Sequence, residues 1–203
     1  MEIKTLHLGL IKTNCYLLST ERAAVVIDPG FDRPGTLDFL SGNADKERLI
    51  LLTHAHFDHI GGAENLREKT GVMIGIGEPD AGALADTSLN LSDMFHARIT
   101  PFKPDLTFRN GEVITVGDIE LKVISTPGHT VGGVSYLTGD SLFTGDTLFE
   151  NSIGRTDFPG GDLRALKRSV KKLLTLPGDT KVYPGHGYPT TIAREKENNM
   201  FAR

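Results

Sequence analysis

A single cysteine, Cys15, leaves the chain without any internal disulfide and fits a reducing compartment. No apolar run approaches the roughly 18 residues that a membrane span requires, so a transmembrane helix is excluded. The opening stretch MEIKTLHLGLIKTNCYLL lacks a cationic start, an uninterrupted apolar core and a cleavage site. No signal peptide is therefore expected, and the predicted location is cytoplasmic. Long basic tracts are missing too: the formal net charge is −4, and the one short run, Lys167, Arg168, Lys171 and Lys172, reads as a solvated helix face. Neither nucleic acid nor membrane is expected as a partner, and the sequence leaves the oligomeric state open. Proline and glycine are scattered rather than pooled, so no linker divides the 203 residues. The expectation is one α/β domain over 1–203.

Apolar or alternating runs bounded by turn residues predict three sequential antiparallel strands at Ile3 to Leu10, Asn14 to Ser19 and Ala23 to Ile27, the last ending at Asp28-Pro29-Gly30. Crossovers follow, with helices near Thr36 to Leu40 and Ala63 to Lys69 and strands at Arg48 to Thr53 and Val72 to Ile76. A second half repeats that order, with strands at Leu106 to Phe108, Val113 to Val116, Ile119 to Ile124, Gly133 to Leu137 and Ser141 to Thr144. Leu163, Leu166, Val170, Leu173 and Leu174 lie at helical spacing, with Asp162 as cap and Pro177-Gly178 as stop. A strand at Lys181 to Tyr183 and a helix at Thr191 to Asn198 close the chain. Two such halves suggest a four-layer αββα sandwich of two mixed β-sheets flanked by helices.

The chemistry is concentrated where a buried-looking strand empties into Thr53-His54-Ala55-His56-Phe57-Asp58-His59-Ile60-Gly61-Gly62. Residues two apart in extended chain point to one side, so His54 and His56 can face one ion while Asp58 and His59 face another. Burying three histidines and an aspartate within six residues would be costly without a metal. His129, Asp146 and His186 each stand at a strand end with glycine immediately before them, a placement that projects a side chain from a sharp turn. His7 and His96 stand apart from this constellation. Imidazole with carboxylate suits zinc, iron or manganese.

The early Asp28, the HxHxDH segment and the three later single residues, taken in order, resemble the metallo-β-lactamase superfamily over essentially the whole chain. That resemblance implies two divalent metal ions, zinc being expected, with iron or manganese as alternatives. His54, His56 and His129 would hold the first and Asp58, His59 and His186 the second. Asp146 would bridge them, and Asp28 would support the ligand loop from behind.

Within the superfamily, zinc lactamases that use a late cysteine ligand do not fit Cys15 in an early strand. Flavin-linked di-iron proteins place Glu where this chain has His56, and the nucleases add a domain or a basic surface. The segment Gly145-Asp146-Thr147-Leu148-Phe149 with seven ligands is similar to glyoxalase II (hydroxyacylglutathione hydrolase) of the short bacterial type. This implies hydrolysis of a small-molecule acyl thioester, S-2-hydroxyacylglutathione to a 2-hydroxy acid plus glutathione, with Asp58 orienting a metal-bridging hydroxide. Arg155 and Tyr188 match glutathione contacts of that family, whereas Asp157 stands where its longer members have tyrosine. Two other readings stay open: a persulfide dioxygenase using one iron on His54, His129 and Asp146, and a non-catalytic metal-binding module. A thiol of pKa ~8.5 leaves without a protein acid, which suits thioester rather than amide cleavage.

Overall fold

The structure, a computed structural model, describes residues 1–31 and 34–201. Strands β1 (Glu2–Leu8), β2 (Thr13–Ser19) and β3 (Ala23–Ile27) form the expected antiparallel meander. From β3 the chain crosses over helix α1 (Pro34–Gly42) into β4 (Glu47–Leu52), then over the short α2 (Phe57–Ile60) and α3 (Ala63–Thr70) into β5 (Ile74–Gly77). β3, β4 and β5 pair in parallel, as helical crossovers require. A 3-10 segment, Glu78–Ala85, follows.

Strand β6 (Leu106–Phe108) pairs in parallel with β5, Gly75 opposite Leu106. It therefore completes the first sheet, in order β1-β2-β3-β4-β5-β6, rather than opening the second as its place in the sequence suggests. The Asp105 carboxylate accepts the Ile74 amide at 2.8 Å and helps to set that pairing. A second correction concerns β1, which stops at Leu8 because Gly9 takes a left-handed turn, φ +67°.

The second sheet contains β7 (Val113–Val116), β8 (Ile119–Ser125), β9 (Val134–Thr138), β10 (Ser141–Gly145), β13 (Lys181–Pro184) and β14 (Thr190–Thr191), in order β14-β13-β10-β9-β8-β7. A small hairpin, β11 (Leu148–Phe149) with β12 (Ser152–Ile153), interrupts it. Helix α4 (Leu163–Leu173) is capped as expected by Asp162, whose carboxylate accepts the amides of Arg164 and Ala165. Lys167, Arg168, Lys171 and Lys172 all lie on its exposed face. Thr191 caps α5 (Ile192–Asn198).

Strand periodicity creates the layers. On β4, Leu49 and Leu51 join Val25, Ile27, Val123, Tyr136 and Phe143 between the sheets, whereas Ile50 and Leu52 face Leu40 and Leu66 of α1 and α3. Leu142 and Val182 pack outward on Leu166, Val170 and Leu173 of α4 and Ile192 of α5. Helix, sheet, sheet, helix is the resulting order. No helix among the described residues is long and apolar enough to cross a membrane.

Candidate metal centre

The parallel strands β10 and β13 place Gly145 opposite Pro184, so Asp146, one residue past Gly145, and His186, two past Pro184, emerge at the same edge of the sandwich. β4 ends there as well, its last carbonyl, Leu52, held by the Tyr136 hydroxyl at 2.7 Å across the two sheets. His54 and His56 lie just past that end, Asp58 and His59 lie on α2, and His129 sits in the turn between β8 and β9. Two glycines make the convergence possible. Gly145 adopts φ +48° and a Cβ on it would strike Thr53, while one on Gly185 would collide with the Asp146 carboxylate and press on the His59 ring.

Three overlapping groups result: His54, His56 and His129; His54, His59 and Asp146; and Asp58, His59 and His186, each with ligand atoms within 4.8 Å of one another. All seven residues predicted from the sequence are thus brought together. His56 Nδ1 lies 2.8 Å from His129 Nε2. Asp58 Oδ2 lies 3.2 Å from both His59 Nε2 and His186 Nε2. The two oxygens of Asp146 diverge, Oδ1 standing 3.5 Å from His59 Nε2 and Oδ2 3.5 Å from His129 Nε2.

Partners behind the rings decide which nitrogen faces inward. His59 Nδ1 donates to Asp28 Oδ2 at 2.9 Å, His129 Nδ1 to the Arg155 carbonyl at 2.7 Å and His186 Nδ1 to the Ile11 carbonyl at 3.2 Å. The Thr53 hydroxyl gives its proton to Asp28 and so accepts from His54 Nδ1 at 3.0 Å. With Nδ1 so engaged, these four rings turn Nε2 to the centre, the atom left to ligate a metal once it carries no proton. Nε2 of His54, His56 and His59 and Oδ1 of Asp146 are buried with no hydrogen-bond partner. Buried polar atoms without a partner are costly, and a divalent cation satisfies them, so the donor set fits such an ion.

The same packing perturbs the rings. Burial, then the neighbouring His129, lowers His56 to about 3, and burial likewise pushes His54 well down. Burial also pulls on His59, but Asp58, Asp28 and Asp146 overcome it and hold the ring well above an ordinary imidazole. His186, opposed by burial and favoured by its hydrogen bond to Asp58 and by Asp146, is raised too. Asp58, although burial raises it, is brought well below a normal carboxyl by His59 and His186.

Asp28 accepts Thr53 N at 2.8 Å besides Thr53 Oγ1 and His59 Nδ1, which places it behind the loop of His54 and His59. Two residues went unnoticed in the sequence. The buried Asp80 carboxylate accepts from Ala55 N, Thr130 Oγ1 and Gly132 N at 3.2, 2.8 and 2.6 Å, tying the loop of His54 and His56 to the loop of His129. Asn14 donates to the carbonyls of Pro184 and Gly187, both at 3.0 Å, clamping the turn that carries His186. His7 serves only as a neighbour of Asn14, 2.7 Å away. Neither Asp80 nor Asn14 has a local motif.

Above the centre lies an open groove of about 450 Å³ whose walls include Ile11, Phe57, Phe95, Phe149, Arg155 and Phe158. Arg155 lies 3.9 Å over the Phe158 ring and is paired in two-pronged fashion with Asp157, at 2.7 and 2.6 Å. Tyr188 does not line this groove and is 77% exposed.

The profile of the Metallo-beta-lactamase superfamily matches residues 8–186. A probable metallo-hydrolase, YqgX of Bacillus subtilis, is 36% identical over 99% of this chain and 97% of its own length. The hydroxyacylglutathione hydrolase GloC of Haemophilus influenzae is 34% identical over 99% of this chain and 98% of its own. Among solved structures, the B3 metallo-beta-lactamase BLEG-1 superposes with a TM-score of 0.91 at 39% identity, covering 99% of both chains. TTHA1623 in a di-iron-bound form superposes with a TM-score of 0.85 at 35% identity, covering 98% of this chain and 99% of that one. With its four-layer sandwich and its His and Asp groups suited to divalent metal ions, the chain belongs to the metallo-beta-lactamase superfamily.

Proposed function

We propose that this protein is a dinuclear metallohydrolase of acyl thioesters, similar to glyoxalase II, that converts S-2-hydroxyacylglutathione and water to a 2-hydroxy acid and glutathione. The observation that carries the reading is the pair of three-residue sets, His54, His56, His129 and Asp58, His59, His186, meeting at Asp146 on the floor of an open groove. The GloC relative adds weight. Zinc is the expected metal, and the same ligands accept iron or manganese.

Two divalent ions supply, when bound, Lewis acidity toward the carbonyl and a water acidic enough to ionise near neutral pH. Asp146 aims one oxygen toward each set. Asp58 is fixed by the Thr13 hydroxyl, which donates to its Oδ2 at 2.8 Å, and it lines the groove where it can orient the attacking water. Water adds its oxygen to the acyl carbon, the C–S bond breaks, and the thiol departs as thiolate while the proton passes to solvent. With a leaving group of pKa ~8.5 no protein acid is required. An amide nitrogen would need one. Arg155 stands at the rim, but Asp157 already balances its charge, so the glutathione carrier is held weakly.

The test supplies metal-loaded protein with S-lactoylglutathione, with glutathione persulfide under oxygen, and with a β-lactam. Metal-dependent thiol release that disappears in Asp58→Ala supports the hydrolase. Oxygen uptake with sulfite formation, undiminished in His59→Ala and His186→Ala, would replace it with a one-iron persulfide dioxygenase. Turnover of the β-lactam alone would replace it with an amidase.

A further inference from the structure

The groove over the metal centre does not end at its aromatic wall. Ile11, Phe57 and Phe95 are shared with a second cavity of about 440 Å³ that continues to Leu10, Phe31 and Arg98. Phe57 lies between His56 and Asp58 in the chain, stacks on Phe95 with centroids 4.9 Å apart, and meets Phe31 edge-on at 6.0 Å. Three exposed apolar side chains meet here: Leu10 is 100% exposed, Ile11 52% and Phe95 48%. A contiguous apolar patch that opens on a reactive centre marks a binding surface rather than chance exposure.

We propose that this annex, floored by Phe57 and walled by Phe31, Phe95, Leu10 and Ile11, is a subsite for the apolar acyl arm of the substrate, so that thioesters of medium-length alkyl or aryl acids are preferred. The inference rests on the thioester reading above and names its substrate class. Charge decides which arm enters. The described lining of the annex offers only Arg98 and His96 as polar partners. A peptide-like or otherwise polar thiol carrier placed there would leave amides unpaired against three phenylalanine rings, at a cost of kcal/mol size. An alkyl or aryl acyl group leaves nothing unpaired, and the carrier is then directed to the solvent side near Arg155.

The test uses metal-loaded full-length protein and glutathione thioesters of acetate, butanoate and hexanoate, so that only the acyl arm changes. Burial of each methylene is expected to raise kcat/KM roughly threefold, giving about eightyfold from acetyl to hexanoyl if all four added methylenes are buried. Phe31→Ala and Phe95→Ala, checked for folding by circular dichroism, should flatten the series. Calorimetry with S-methylglutathione and S-hexylglutathione, thioethers that cannot be cleaved, keeps the subsite separate from the chemistry. If no thioester is hydrolysed but the hexyl compound still binds tenfold tighter, and less so in the variants, the hydrolase reading falls and the annex stands. A flat series in the wild type, or a slope unchanged in both variants, overturns the annex. So does a dimer that Leu10→Asp dissociates while the acyl series keeps its slope, since the patch then belongs to a second copy of this chain.

Discussion

The Oδ2 atom of Asp80 lies 3.2 Å from the backbone nitrogen of Ala55, the residue between His54 and His56. The same carboxylate holds Thr130 and Gly132 beside His129, so one buried side chain sets the distance between two loops that no strand pairing connects. Burial raises the Asp80 pKa, and the hydrogen bonds from Thr130, Gly132 and Ala55 pull against that rise. Asp80→Ala leaves three donors without their acceptor and is expected to cost about 3 kcal/mol of stability. Asp80→Asn keeps the shape but turns an N–H toward donors. Metal analysis and cobalt(II) absorption spectra check the outcome: the set of His54, His56 and His129 should lose occupancy first. An unchanged cobalt spectrum in a folded Asp80→Asn protein would refute the coupling.

Much of this architecture is legible in the sequence, because its strands alternate cleanly and its ligands cluster. Three histidines and an aspartate within six residues are a local signal, and Gly145 and Gly185 mark where later ligands leave their strands. What escapes is non-local. Asp80 has partners 25, 50 and 52 residues away, and Asn14 reaches carbonyls 170 and 173 residues along the chain. Strand β6 carries no mark of which sheet it joins, since that depends on where the chain from Glu78 onward returns. The aromatic annex is likewise assembled from Phe31, Phe57 and Phe95, which share no periodicity.

Asp28→Asn tests the support behind His59. The carboxylate accepts from His59 Nδ1, Thr53 N and Thr53 Oγ1 together, and an amide cannot accept at both ends. Affinity for the ion held by Asp58, His59 and His186 should fall about 10- to 100-fold, the usual loss when a ligand's backing partner is removed. Competition with a chromophoric chelator measures it. Affinity equal to wild type would mean that Asp28 serves the backbone alone.

Asp146→Ala should lower metal content at both sets rather than one. Its Oδ1 faces His59 and its Oδ2 faces His129 and His186, the last at 3.7 Å. Reconstituted wild type is expected to saturate at about two ions per chain, as seven ligands allow where one ion uses three protein ligands plus water. A wild-type plateau at one ion for every metal tried would remove the dinuclear reading. An Asp146→Ala protein that keeps one ion at full affinity would remove the bridge.

Proton release should distinguish the two sets during metal uptake. In the metal-free protein, His59 and His186 have raised pKa values, His59 because Asp58, Asp28 and Asp146 outweigh burial, His186 because Asp58 and Asp146 do. Near neutral pH these rings hold protons that an ordinary imidazole would be losing, and a ring must surrender its Nε2 proton before it can ligate. His56, lowered to about 3, and His54, lowered by burial, are already neutral there. His54 and His56 are thus expected to release almost no protons on taking up an ion, and His59 and His186 about one or more. Affinity at Asp58, His59 and His186 should accordingly strengthen as pH rises from about 6 to 8. Titration calorimetry in buffers of different ionisation enthalpy separates the two steps by the dependence of apparent heat on buffer. Equal heats in every buffer at both steps would show that the acidic cage around His59 does not hold its proton, and the order of ring protonation given by the packing would then be wrong.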